Sequence, residues 1–119
     1  MTHDTSVSFH PYFKIHSGKA DDFKALCKRF IEKTRTETGC LYYGFTFAGD
    51  VAYCREAYVN AAALLTHADN VGALIQEALT IADLVRLEAH GPEPELNQLR
   101  EPLAALNPQY FVLYDSFRH

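Results

Sequence analysis

Two runs rich in aromatic and β-branched residues, Cys40–Ala48 and Val51–Tyr58, flank the pair Gly49-Asp50. A glycine-led pair between two such runs suits a tight hairpin turn, so the sequence predicts two adjacent antiparallel strands. Alternation places Leu41, Tyr43, Phe45 and Phe47 on one face of the first strand and Cys40, Tyr42, Gly44 and Thr46 on the other. Both sets are nearly uncharged, so both faces are expected to be covered. In a small sheet with helices on one side, the second face is then expected to pack on another subunit.

The flanking segments keep to one architecture. Val7 to His16 alternates, with Val7, Phe9, Pro11, Phe13 and Ile15 on one side and Ser8, His10, Tyr12, Lys14 and His16 on the other. Pro11 has no N–H for a ladder, which predicts either an edge strand or a local irregularity. From Ala20 to Glu37, the apolar residues Phe23, Leu26, Cys27, Phe30 and Ile31 recur at helical spacing, and Gly39 is expected to cap that helix. A helix is expected after Asn60 and a second helical piece capped by Asp69-Asn70, followed by a strand over Asp83 to His90. Leu96, Leu99, Leu103 and Leu106 outline a further helix that Pro102 divides, and Tyr110 to Phe117 reads as a last strand. The order is β-α-β-β-α-β with an added helix and a C-terminal strand. An α+β fold is expected, formed as one domain over residues 1–119 with an ordered core at about 7–117.

The corner from Arg55 to His67 concentrates the reactive side chains. Glu56 and Tyr58 are two apart and point to the same side of a strand, while Asn60 caps a helix that brings His67 back two turns later. Acid, phenol and imidazole converge if that helix folds over the sheet. The alternative for His67 is capping its helix or bonding to the sheet, and for Glu56 an ion pair with Arg55, Arg86 or Lys14 at a subunit contact.

Composition removes several function classes. The net charge of −4 and pI near 5.8 leave no basic footprint for nucleic acid or an anionic membrane. No apolar run reaches the roughly 18 residues of a membrane span, and the first residues lack a signal pattern, so a soluble cytoplasmic protein is expected. Three cysteines, Cys27, Cys40 and Cys54, without a C-x-x-C, read as reduced thiols. Among the six histidines, His10 and His16 lie about 20 Å apart on a strand at roughly 3.3 Å per residue, and no H-x-H or H-E-x-x-H occurs. No metal site is expected, the one conceivable set being His67 and Glu56 with a remote His10 or His90. His3 and His119 are expected to be solvated termini.

Gly39-Cys40, Glu56-x-Tyr58 and His67, in the pattern E-x-aromatic-x-x-x-x-A-L-x-x-H, resemble the antibiotic biosynthesis monooxygenase superfamily. The resemblance implies a ferredoxin-like fold that forms a homodimer through the sheet face, closing a dimeric α/β barrel. Members include quinol and polyketide-phenol monooxygenases that need no metal or flavin, and haem-degrading enzymes. Haem degradation is not expected, because the chain has no Trp and has Pro11 where that branch carries an Asn. The resemblance implies a cofactor-independent monooxygenase oxidising a small aromatic, quinol or phenol-like molecule with dioxygen. The alternative is a non-catalytic dimeric barrel that binds a small ligand or serves a stress response. In the enzymatic reading His67 is the base and Glu56 fixes its tautomer, while Tyr58, Tyr43, Tyr12 and His10 contact the substrate.

Overall fold

The computed structural model describes residues 4–119, so His3 lies outside the described residues. The chain runs β1 (Val7–Ile15), α1 (Ala20–Thr34), β2 (Cys40–Ala48), β3 (Val51–Tyr58), α2 (Ala61–Asn70), α3 (Gly72–Ala78), β4 (Ala82–Gly91), α4 (Glu93–Leu99), a 3₁₀ turn (Ala104–Leu106) and β5 (Gln109–Val112). The sheet order is β2-β3-β1-β4-β5, antiparallel except for the parallel β4–β5 pair. This is the α+β, ferredoxin-like arrangement expected from the sequence, with the fifth strand added beside β4.

Helices cover one face of the sheet. Phe13, Ile15 and Ala52 from the strands meet Phe23, Leu26, Cys27 and Phe30 of α1 and Leu74 and Ala78 of α3 in one apolar cluster. A second cluster joins Val7, Tyr58 and Ala89 to Leu64 of α2 and to Leu96, Leu99 and Leu103 around α4. The hairpin forms at Gly49-Asp50, where Gly49 takes a φ of 59° that other residues adopt only with strain.

Several boundaries differ from the sequence expectation, each for a local reason. Strand β1 is central, not an edge, and Pro11 sits where the β1–β3 pairing lapses between Phe9↔Glu56 and Tyr12↔Tyr53; β1 also shifts register against β4 between Tyr12 and Phe13. A bulge between Cys40 and Tyr42 breaks the alternation of β2, turning Cys40 towards the second cluster and leaving Leu41 exposed. Helix α1 ends at Thr34 and is capped by Arg35. Helix α2 continues through Asp69-Asn70, and the break before α3 falls at Val71. The last strand stops at Val112, because its partner β4 ends at Gly91 and the next residue is Pro92; Leu113 N–H donates the final bond to Gly91.

Gly39 therefore does not cap α1. A Cβ placed on it would lie 2.6 Å from Ala63 Cβ, so the glycine lets the entry to β2 press against α2. Gly39→Ala is expected to destabilise the protein by about 1–3 kcal/mol through overpacking. Gly44→Ala, whose nearest neighbour would be Arg55 Cγ at 4.0 Å, is expected to change the urea midpoint little. Equal midpoints for the two variants would remove this role for Gly39.

Candidate active site

The corner from β3 to α2 brings Glu56, Tyr58 and His67 together. Asn60 caps α2 by accepting a hydrogen bond from Ala63 N–H at 2.9 Å. The helix then crosses back over the sheet and buries His67 beside β3. Tyr58 Oη donates to Glu56 Oε1 at 2.6 Å. His67 Nε2 stands 3.6 Å from the same oxygen, too far for a hydrogen bond and close enough to feel its charge. The rings of Tyr43 and Tyr58 each lie 5.1 Å from the imidazole centre.

The tautomer of His67 is fixed by a residue the sequence reading did not single out. Glu37, in the turn after α1, accepts from His67 Nδ1 at 2.9 Å, and Asn70 Nδ2 holds the same carboxylate oxygen at 2.8 Å. Glu56 is thus not the orienting carboxylate; it faces the opposite nitrogen. The available signal was electrostatic. An acidic residue at the predicted C-terminal turn of a helix opposes the helix dipole, a sign that Glu37 is used elsewhere.

These groups border an apolar cavity of about 60 Å³ between sheet and helices, several times the roughly 10–15 Å³ that one water requires. Its lining includes Glu56, His67 and Tyr43 at one side, with Phe9, Pro11 and Phe13 of β1 along its floor. Leu103 and Leu106, from the segment divided at Pro102, wall part of it. Burial pushes the Glu56 carboxyl up to about 7, against the hydrogen bonds from Tyr58 and Cys54; the charge of Glu37 adds to the rise. Burial likewise lowers the His67 pKa, with Glu37 opposing. Cys54 also lines the cavity, and burial pushes its thiol upward, so it is no nucleophile at neutral pH.

The other candidates are placed elsewhere. Tyr58 is fully buried and spends its hydroxyl on Glu56; it does not line the cavity. His10 and Tyr12 project from the opposite face of the sheet by the alternation of β1. There His10 bonds Ser8 and Tyr53, and Tyr12 packs on Tyr53. Neither reaches the cavity, and His90 stacks with Phe111 on that same outer face. A metal set combining His67 and Glu56 with His10 or His90 is therefore divided by the sheet, and among the described residues no three candidate ligands are grouped for an ion. Nor does Glu56 pair with Arg55, Arg86 or Lys14: Lys14 binds Asp50, Arg86 binds Glu88, and Arg55 stacks over Tyr42.

A sequence profile described as antibiotic biosynthesis monooxygenase matches residues 7–74. The chain belongs to this family. The crystal structure of MupZ from Pseudomonas fluorescens is 45% identical, with a TM-score of 0.95 over 100% of this chain and 93% of that one. A candidate antibiotic biosynthesis monooxygenase from Caulobacter crescentus CB15 shares the fold at 22% identity and a TM-score of 0.66, over 72% of this chain and 88% of the other. Rv0793 from Mycobacterium tuberculosis does so at 21% and 0.65, over 73% and 94%. No curated protein sequence matches.

The raised Glu56 pKa has a direct consequence for stability. A carboxyl at about 7 in the folded chain, against its ordinary 4.5, binds a proton more tightly folded than unfolded. Its stabilising contribution is complete below about 4.5 and is lost as pH rises through about 7. Glu56→Gln keeps an acceptor for Tyr58 and removes this loss. The variant is expected to melt above the wild type at pH 8 and to lose that advantage at pH 5, a swing on the order of 3 kcal/mol at 1.36 kcal/mol per unit. A pH-independent difference in melting temperature would contradict the assignment.

Proposed function

We propose that this family member is a cofactor-independent monooxygenase acting on a substrate with an ionisable hydroxyl, phenol- or enol-like, bound in the apolar cavity. The observation that carries the proposal is the placement of His67, with Glu37 on Nδ1 and its free Nε2 3.6 Å from Glu56, at the edge of a space with almost no other polar lining. Nε2 takes the hydroxyl proton, and the two flanking carboxyls stabilise the imidazolium that results. Tyr43 lies against the imidazole and can donate to the substrate oxyanion. The electron-rich anion supplies the electrons itself. Oxidation of an activated CH₂ to C=O consumes one O₂, one oxygen atom entering the product and the other leaving as water, so no external reductant is needed.

The protonated state of Glu56 favours a second reading, proton transfer without dioxygen, in which Glu56 is the acid. The two readings predict opposite pH limbs. With His67 as base and Glu56 ionised beside it, turnover rises through pH about 7; with Glu56 as acid, it falls above about 7. Purified protein given phenols, naphthols and hydroquinones is expected to accelerate oxygen uptake with chelator present and flavin absent. His67→Ala is expected to lower that rate by about 10²–10⁴-fold while the circular dichroism spectrum is retained. Substrate binding without uptake across the panel would favour the non-catalytic alternative.

We also propose that a second copy covers the outer face of the sheet. The support is the group of half-buried aromatic residues there, with Tyr42 beside them exposed at 42%. Light scattering is expected to give twice the mass of the 13.4 kDa chain; a monomer at micromolar concentration would exclude the arrangement.

A further inference from the structure

Polar side chains line the cavity on one side only. Glu56, His67 and Tyr43 gather near β2 and β3, whereas Leu84 and Leu87 of β4, with Leu79 just after α3 and Leu106, face it from across the sheet. Strand β1 lies between β3 and β4, so Glu56 and Leu87 are separated by two strand spacings, about 10 Å. Along β1 the floor runs from Phe9 to Phe13, about 13 Å at roughly 3.3 Å per residue. A hydroquinone carries hydroxyls at both ends of its ring. With one placed at His67, the other would be buried among leucines without a partner, a loss that ordinary apolar packing does not offset.

The charge of the site narrows the head group as well. Glu37 and Glu56 flank one imidazole, and among the described residues no Lys or Arg pairs with either carboxyl. A carboxylate or phosphate head would meet like charge in a poorly solvated space.

We propose that the cavity takes a single-headed amphiphile, with one neutral enol hydroxyl among Glu56, His67 and Tyr43 and the first carbons of an aliphatic body over β1 towards Leu84 and Leu87, the remainder leaving through the cavity's partly open side. The inference rests on the acid–base reading of this cavity and narrows its substrate class from small quinols to enol-bearing aliphatic chains, for which a plain alcohol is a non-reacting binding probe. It leaves the oxygen chemistry unchanged, since an enolate supplies electrons as a phenolate does.

The test is calorimetric binding at pH 8 under nitrogen, where nothing turns over, using 1-octanol, octanoate and hydroquinone as probes. 1-Octanol is expected to bind at least tenfold more tightly than either of the others. Leu87→Phe, which fills the far side, is expected to weaken 1-octanol at least tenfold; Leu106→Trp, at a half-buried turn position, serves the same purpose if the first variant does not fold. Hydroquinone or octanoate binding as tightly as 1-octanol would overturn the substrate class. Unchanged 1-octanol affinity in a folded variant would overturn the placement of the chain. The outcomes separate the two proposals. Octanol binding without oxygen uptake by any hydroxyl compound leaves this inference standing and sinks the monooxygenase reading, whereas uptake with quinols alone does the reverse.

Discussion

The carboxyl of Glu56 is 3% exposed, and among the described residues no Lys or Arg pairs with it. Burying an isolated carboxylate costs several kcal/mol even after relaxation, and the surroundings show how the fold meets that demand. The proton is retained to about pH 7, and Tyr58 donates to Oε1 from two residues along the same strand. His67 stands on the other side as the nearest basic group. Each arrangement depends on a backbone feature: the alternation of β3 aligns Glu56 with Tyr58, Asn60 starts α2 at the register that returns His67, and Gly39 permits α2 to lie close to the start of β2. A shift of one residue in β3 would send both Glu56 and Tyr58 to the outer face.

The same alternation explains which parts were legible in the sequence. Period two put Phe9, Pro11 and Phe13 on one side of β1 and Glu56 with Tyr58 on one side of β3, and helical spacing found the buried face of α1, because both signals are local and the hydrophobic residues repeat them. The meeting of Glu56, Tyr58 and His67 was legible for that reason too. Glu37 was not, since it lies 30 positions from His67 and its use depends on α1 stopping at Thr34, a boundary no glycine marks. The grouping of His10 and Tyr12 with the substrate residues failed on a point the sequence already contained. They alternate with Phe9, Pro11 and Phe13, which floor the cavity, and no single chain can turn both sets inward.

Glu37 also ties the site to the ends of two helices. Asn70, at the end of α2, donates both to Glu37 and to the carbonyl of Lys33, while Lys33 Nζ donates to the carbonyl of Asn70. These bonds close the C-terminal ends of α1 and α2 on one another around the carboxylate. They satisfy carbonyl groups that a helix end leaves without intrahelical partners and restrict the Glu37 rotamer. The imidazole is consequently oriented by helix termini packed together, a more rigid support than a surface carboxylate on a flexible loop would provide.

Water exclusion then acts on the cluster in two opposed ways. It holds the Glu56 proton and keeps His67 neutral, so the resting site carries less charge than its residue types would in solvent. It also strengthens every interaction that a newly formed ion makes with Glu37, Tyr58 and Tyr43, because little solvent competes for them. Burial makes protonating His67 costly, with Glu37 opposing that cost, until a substrate gives up its proton, when the imidazolium and the substrate anion arise together and compensate one another. An apolar cavity with one polar side suits such paired charge formation better than the binding of a permanently charged ligand.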